Sequence, residues 1–92
     1  MMRQESAETV ALQALGWLAG NDELFPTFLG TTGADGSDVA ARAAEPAFLA
    51  SVLDFLLMDD DWIIAFCDAA GLPYTTPRNA RAVMPGGEAS WS

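Results

Sequence analysis

The sequence has no histidine and no lysine, and it contains a single cysteine, Cys67. Without histidine it lacks the usual general base and metal ligand near neutral pH, and without lysine it cannot form a Schiff base. One cysteine cannot form an internal disulfide, which is typical of proteins from a reducing compartment. These absences exclude serine triads and histidine-based zinc sites, and they predict a cytoplasmic protein.

Basic residues are also scarce, with four arginines against thirteen acidic residues and a net charge of −9. The arginines are scattered along the chain, at Arg3, Arg42, Arg78 and Arg81. A surface that binds nucleic acid needs clustered cations to neutralise phosphates. We therefore expect no direct binding to nucleic acid or to anionic membranes.

Long apolar runs are missing as well. The first residues include Glu5 and Glu8, where a secretory signal needs an uninterrupted apolar stretch. The most apolar region, residues 46–70, is interrupted by Asp54 and by Asp59–Asp61, so it cannot supply the roughly 20 apolar residues of a membrane span. With 92 residues, 51% hydrophobic and 18% charged, the composition instead predicts one small folded domain.

Apolar residues in the first half recur at helical spacing, and no segment alternates as a strand does. Ser6 is predicted to cap the first helix, which ends at Gly20. A second helix is expected over Asp22–Leu29, followed by a glycine-rich loop over Gly30–Gly36. Ser37 or Asp38 would then cap a weak third helix that ends near Ala44.

The second half predicts a central helix over residues 46–59, with Pro46 at its first position. Its apolar arc is wide, and only a narrow stripe faces outward: Ala47, Ser51, Asp54 and Met58. A fifth helix follows and ends at Gly71; its expected inner face comprises Trp62, Ile63, Phe66, Cys67 and Ala70. A last helix runs from a cap at Thr76 to about Met84.

The predicted fold class is therefore all-α, a compact bundle of five or six short helices around the central helix. Residues 1–5 are expected to be a flexible segment, residues 6–84 the helical domain, and residues 85–92 a flexible tail.

Four features resemble chemical sites, but each is better explained by structure. Asp59–Asp61 and Asp35–Asp38 are rich in oxygen ligands, yet neither has the alternating spacing of a calcium loop, so both are interpreted as turns and helix caps. The glycine-rich loop lacks the order of a phosphate-binding loop. Cys67 has apolar neighbours on its helix and is expected to be buried and inert. We predict no catalytic residue, no metal and no cofactor.

The candidate contact surface is the outward side of the hairpin formed by the central and fifth helices. Met58 and Ile64 fall outside the apolar arcs, and acids surround them. The full candidate set is Leu12, Asp54, Met58, Asp61, Ile64 and Asp68.

This surface predicts a non-catalytic module that binds an unknown protein or a second copy of itself. Two alternatives stay open: an acidic decoy of a nucleic-acid-binding protein, and a helical domain that binds a small ligand. Enzymatic activity is not expected, because carboxylate chemistry needs acids paired across a cleft.

Several stretches together resemble a small bacterial family, found mainly in alphaproteobacteria, known as domain of unknown function number 3572. The resemblance is carried by Pro46–Leu57, by Ala11–Leu15 with Trp17–Ala19, by Ala65-Phe66, by Gly71–Pro73 and by Pro85–Gly87, and it covers about residues 7–87. It implies a cytoplasmic, all-helical bacterial domain with no assigned chemistry and no catalytic residues to carry over.

Overall fold

A computed structural model of the chain describes residues 2–84. Six helices follow one another in this region: α1 (Gln4–Ala19), α2 (Leu24–Thr32), α3 (Val39–Arg42), α4 (Pro46–Leu56), α5 (Asp60–Ala70) and α6 (Thr76–Ala82). Residues 2–84 contain no strand. The predicted all-α class and helix number are therefore confirmed, whereas the predicted tail, residues 85–92, lies outside the described residues.

The helix α4 is the central element, as predicted. Seven of its eleven residues are buried, and it packs against α1, α2, α5 and α6. The expected outward stripe is confirmed, because Ala47, Asp54 and Met58 are exposed and Ser51 is half-buried. The sequence did not indicate that α1 also contacts four helices, namely α2, α4, α5 and α6. The core therefore lies between α1 and α4.

The start of α1 differs from the prediction. The helix begins at Gln4, Arg3 occupies the N-cap position in an extended conformation, and no side chain caps the end. Ser6 therefore lies inside the first turn and is not the cap. Gln4 Nε2 donates a hydrogen bond to Glu8 one turn later (3.0 Å), and Met2 packs against the core. Residues 1–5 were expected to be flexible, but Gln4 and Glu5 belong to α1 and Met2 packs against the core.

The second helix also differs, at both ends. It begins at Leu24, two residues after the predicted start at Asp22, and Asn21 Oδ1 accepts from the backbone N–H groups of Glu23 and Leu24, each at 3.0 Å. The helix continues through Gly30 to Thr32, so the first part of the predicted loop is helical. Gly33 ends it in a left-handed conformation with φ of 71°.

Four smaller corrections concern the later helices. The weak α3 has only four residues, and Asp38 precedes it without a capping bond. The central helix stops at Leu56, because Asp59 adopts an extended conformation to cap α5 and accepts from Asp61 N at 2.9 Å. Ala70, predicted on the inner face of α5, is exposed. Thr75 occupies the N-cap position of α6 in place of Thr76, and the helix ends at Ala82.

Candidate functional site

Two grooves border the α4 to α5 hairpin. The first, which we call the Met58 groove, has a volume of about 380 Å³ and lies between the end of α2, α3 and the outward stripe of α4. Its lining comprises Thr31, Thr32, Arg42, Glu45, Ala47, Phe48, Ser51, Asp54, Phe55 and Met58. Since α3 has only one turn, it leaves much of the stripe uncovered.

The floor of the Met58 groove is aromatic and supported from below. Phe48 and Phe55 are both almost fully buried. Phe28, from α2, contacts both rings edge-on, with centroid distances of 5.9 Å to Phe48 and 5.4 Å to Phe55. Trp62 stacks on Phe55 at 4.7 Å. Such edge-on and stacked pairs are favourable arrangements that restrain one another, so the floor has a defined shape.

Met58 lies at the edge of this floor and is the most exposed large apolar residue described, at 66%. It follows the last turn of α4, where its backbone N–H donates to the carbonyl of Phe55 at 3.1 Å. Asp59 must begin α5 at the next position, which fixes the turn at Met58. The apolar side chain is therefore held at the surface by the geometry of the hairpin.

Two ion pairs border the Met58 groove. Arg81, from α6, places Nε 2.6 Å from Asp54 Oδ1. Arg42 lies over the ring of Phe48, with its guanidinium carbon 4.8 Å from the centroid, and its Nε is 3.9 Å from Glu45 Oε1. The first pair joins α4 to α6 and the second joins α3 to the start of α4, so both help to fix the groove walls.

The second groove, which we call the Tyr74 groove, lies between α5 and α6 and has a volume of about 280 Å³. Its lining comprises Leu57, Asp60, Ile63, Ile64, Tyr74, Thr75 and Arg78. Tyr74 is 55% exposed, and its hydroxyl donates to Asp68 Oδ1 at 2.7 Å. Within residues 2–84, no carboxylate forms an ion pair with Arg78.

The hydrogen bond between Tyr74 and Asp68 also affects proton binding. Because the Asp68 carboxylate accepts from the hydroxyl and disfavours a second negative charge beside it, the pKa of Tyr74 is raised above its ordinary value of 10.0. Burial, with a smaller contribution from Asp68, raises the pKa of the Cys67 thiol. Cys67 is buried, as predicted.

The predicted contact residues separate over these features. Asp54 and Met58 line the Met58 groove, whereas Ile64 lines the Tyr74 groove and Asp68 holds Tyr74. Asp61 and Leu12 line neither groove, although Leu12 is 46% exposed. The exposure of Leu12, Met58 and Ile64 agrees with expectation. Met58 and Ile64 were predicted to share one contact surface, but they line different grooves.

Sequence reasoning missed Tyr74, Arg42 and Arg81. Each acts through a partner that is far away in sequence or lies across a turn, as in the pair of Arg81 with Asp54. The charge balance could not identify them either, because in a chain with thirteen acids and four arginines every arginine has many possible partners. Nothing in helical spacing selects among those partners, since the choice depends on how helices pack.

The acidic loops form turns and caps, as interpreted. Asp59 caps α5, and Asp35 accepts from the backbone N–H of Ser37 at 3.4 Å. Across the described part of the chain, no three acidic or cysteine side chains converge as metal ligands would. In residues 2–84, no helix is both long and apolar enough to cross a membrane.

Comparison with known proteins adds one finding. Neither the curated proteins nor the solved structures include a significant match to this chain. A family profile does match, over residues 4–87, and its description is "Protein of unknown function (DUF3572)". That range includes all six helices and both grooves. The chain therefore belongs to the DUF3572 family.

Proposed function

We propose that the protein is a non-catalytic module of the bacterial cytoplasm that binds another protein through the Met58 groove. The observation that carries this proposal is the 66% exposure of Met58 at the edge of a floor built from two phenylalanine rings. Protein interfaces favour methionine and aromatic side chains at their centre and polar groups around them. The Met58 groove has this composition, with ion pairs at its border.

A binding role explains the polar groups of the groove better than catalysis does. The carboxylates of Glu45 and Asp54 each interact with an arginine of the same chain. Ser51 donates its hydroxyl to the carbonyl of Phe48. A general acid, base or nucleophile must instead be free to exchange a proton or attack a substrate.

The Tyr74 groove supports a second candidate function, the binding of a small apolar acid. Its lining includes the apolar residues Leu57, Ile63 and Ile64, together with Asp60 and with Arg78, which forms no ion pair in residues 2–84. Small-molecule sites combine an apolar lining with few polar groups, although their volumes usually begin near 300 Å³. The volume of about 280 Å³ makes this groove the weaker candidate.

Three matched substitutions distinguish the candidates: Met58→Ser, Ile64→Ser and Leu12→Ser. All three remove an exposed apolar side chain from a helix or its end, so each should change stability by at most about 1 kcal/mol. A partner is captured from the bacterial host with the tagged wild-type protein, purified, and titrated against each variant by calorimetry. Native mass spectrometry of the wild-type protein tests for a bound small molecule.

The proposal predicts that Met58→Ser lowers partner affinity by about tenfold or more, as expected for a residue near the centre of an interface. Ile64→Ser and Leu12→Ser should leave the affinity within about twofold. Equal affinities for all four proteins would contradict the proposal. A loss confined to Ile64→Ser would move the interface to the Tyr74 groove.

A further inference from the structure

We infer that the Met58 groove accepts a basic amphipathic segment of the partner, with an apolar side chain on the floor and an arginine or lysine towards each end. This inference rests on the proposed function, because it specifies the partner for the same groove. The observation behind it is that both carboxylates of the groove, Glu45 and Asp54, stay more than half exposed although each already pairs with an arginine of this chain.

The Glu45 end of the groove already holds one guanidinium by two weak contacts. Arg42 lies 4.8 Å above the Phe48 centroid, a cation–π arrangement, and 3.9 Å from the Glu45 carboxylate. A distance of 3.9 Å is too long for a hydrogen bond. The side chain of Glu45 also remains 60% exposed. Glu45 can therefore bind a second cation without losing a strong bond.

The Asp54 end presents a partly used carboxylate. Arg81 is mostly buried, with 17% of its side chain exposed, and binds Oδ1 of Asp54 at 2.6 Å. Asp54 itself is 57% exposed and lines the groove. Because a carboxylate accepts several hydrogen bonds through its two oxygens, an incoming cation can add to the existing pair.

The spacing of these two carboxylates defines the partner segment. Asp54 follows Glu45 by nine residues, which corresponds to roughly 13 Å along a helix axis. Of the two floor residues, Phe48 lies between these carboxylates in the chain and Phe55 follows Asp54 directly. An amphipathic helix that binds in a groove presents apolar anchors on one face. Positions nine residues apart lie on opposite faces of a helix, so the two cations would lie seven or eight residues apart at the border of that apolar face, roughly 10–12 Å along the axis.

The overall charge supports the same partner. The chain carries a net charge of −9, so it repels an acidic partner and attracts a basic one. Complementary charges at the border of an interface raise the association rate and suppress wrong partners more than they raise affinity. The exposed side chain of Met58 at the edge of the floor would supply affinity, and the carboxylates would select a basic sequence.

The experiment uses a phage library of random 16-residue peptides, selected on the folded full chain. We expect the selected peptides to contain a large apolar residue flanked by two arginines or lysines. A synthetic selected peptide is then titrated against wild type and against Glu45→Gln/Asp54→Asn. We expect affinity to fall by about fivefold to tenfold, as for two partly exposed ion pairs.

A second form of the peptide carries citrulline in place of arginine, or acetyl-lysine in place of lysine. It should bind wild type as weakly as the unmodified peptide binds the double variant. The two changes should not add, because they remove the same pairs. Glu5→Gln/Asp61→Asn removes two charges outside the groove, and its affinity should stay within about twofold of wild type. Because Asp54 also binds Arg81, Glu45→Gln is measured alone as a variant that leaves that pair intact.

Several results would overturn the inference. Selected peptides without an excess of basic residues, or with equal affinity for wild type and Glu45→Gln/Asp54→Asn, would show that the carboxylates do not select the partner. If Met58→Ser still weakened those peptides, the proposed function would stand. Binding unaffected by Met58→Ser would contradict the proposed function as well.

Failure to select any peptide would also count against the inference. If the wild-type chain then sediments as a dimer and the Met58→Ser variant as a monomer, the groove binds a second copy of the chain.

Discussion

The substitution Leu56→Ala tests the placement of α4 at the centre of the core. Leu56 is fully buried in the last turn of α4. The change removes three carbon atoms, which at about 0.8 kcal/mol each corresponds to roughly 2.4 kcal/mol of lost apolar transfer. The remaining cavity raises the cost into the range of about 2–5 kcal/mol observed for buried leucines.

This loss is large for a chain of 92 residues, because stability at about 0.05–0.15 kcal/mol per residue totals only about 5–14 kcal/mol. The assay is urea unfolding followed by tryptophan fluorescence, which should give a lower midpoint with an unchanged slope. Leu12→Ala is the matched control, since Leu12 is 46% exposed and should lose no more than about 0.5 kcal/mol. Equal midpoints for the two variants would refute the packing described for α4.

Three other predictions concern side chains whose environment the structure defines. Absorbance at 295 nm should show Tyr74 ionising above pH 10.0, and Asp68→Asn should lower that midpoint; a midpoint unchanged by the substitution would exclude the hydrogen bond as its cause. Since folding raises the pKa of Tyr74, the protonated hydroxyl stabilises the folded protein below about pH 10. This stabilisation is lost as the pH rises through the raised pKa. Cys67 should react with a thiol reagent only after unfolding, because it is buried and its pKa is raised; rapid labelling of the native protein would contradict that burial. Calorimetric titration with calcium, magnesium and zinc should show no stoichiometric binding tighter than micromolar, since Asp59 is engaged in capping α5; such binding would overturn the interpretation of the acidic run.

Some of the candidate surface could be predicted because it depends on local patterns. The outward stripe of α4, with Asp54 and Met58, follows from helical periodicity, and its exposure is confirmed. Ile64 was recognised in the same way, and it is 42% exposed. What periodicity could not show is that Met58 and Ile64 line different grooves, since it gives the direction of a side chain on its own helix but not the neighbours it meets.

Helix ends show the same limit at a finer scale. Gly71 was placed correctly as the end of α5, because a left-handed glycine acts within one turn of the chain. The run Asp59–Asp61 was interpreted as a helix cap, but Asp59, which caps α5, had been assigned to the end of the central helix. The start of α1 was misplaced, because Met2 packs on the core and the helix begins before the serine that could have capped it. A tertiary contact there outweighs the local capping preference.

The sequence by itself determined the helical class, the central position of α4 and the absence of histidine and lysine chemistry. These properties depend on composition and on spacing within single helices, which are local in the chain. Only the tertiary structure decided that Arg81 binds Asp54 across 27 positions, and that Phe28 supports Phe48 and Phe55 beneath the Met58 groove. The physical reason is that such contacts form when separate helices pack together, and with thirteen acids for four arginines many pairings have similar local energies.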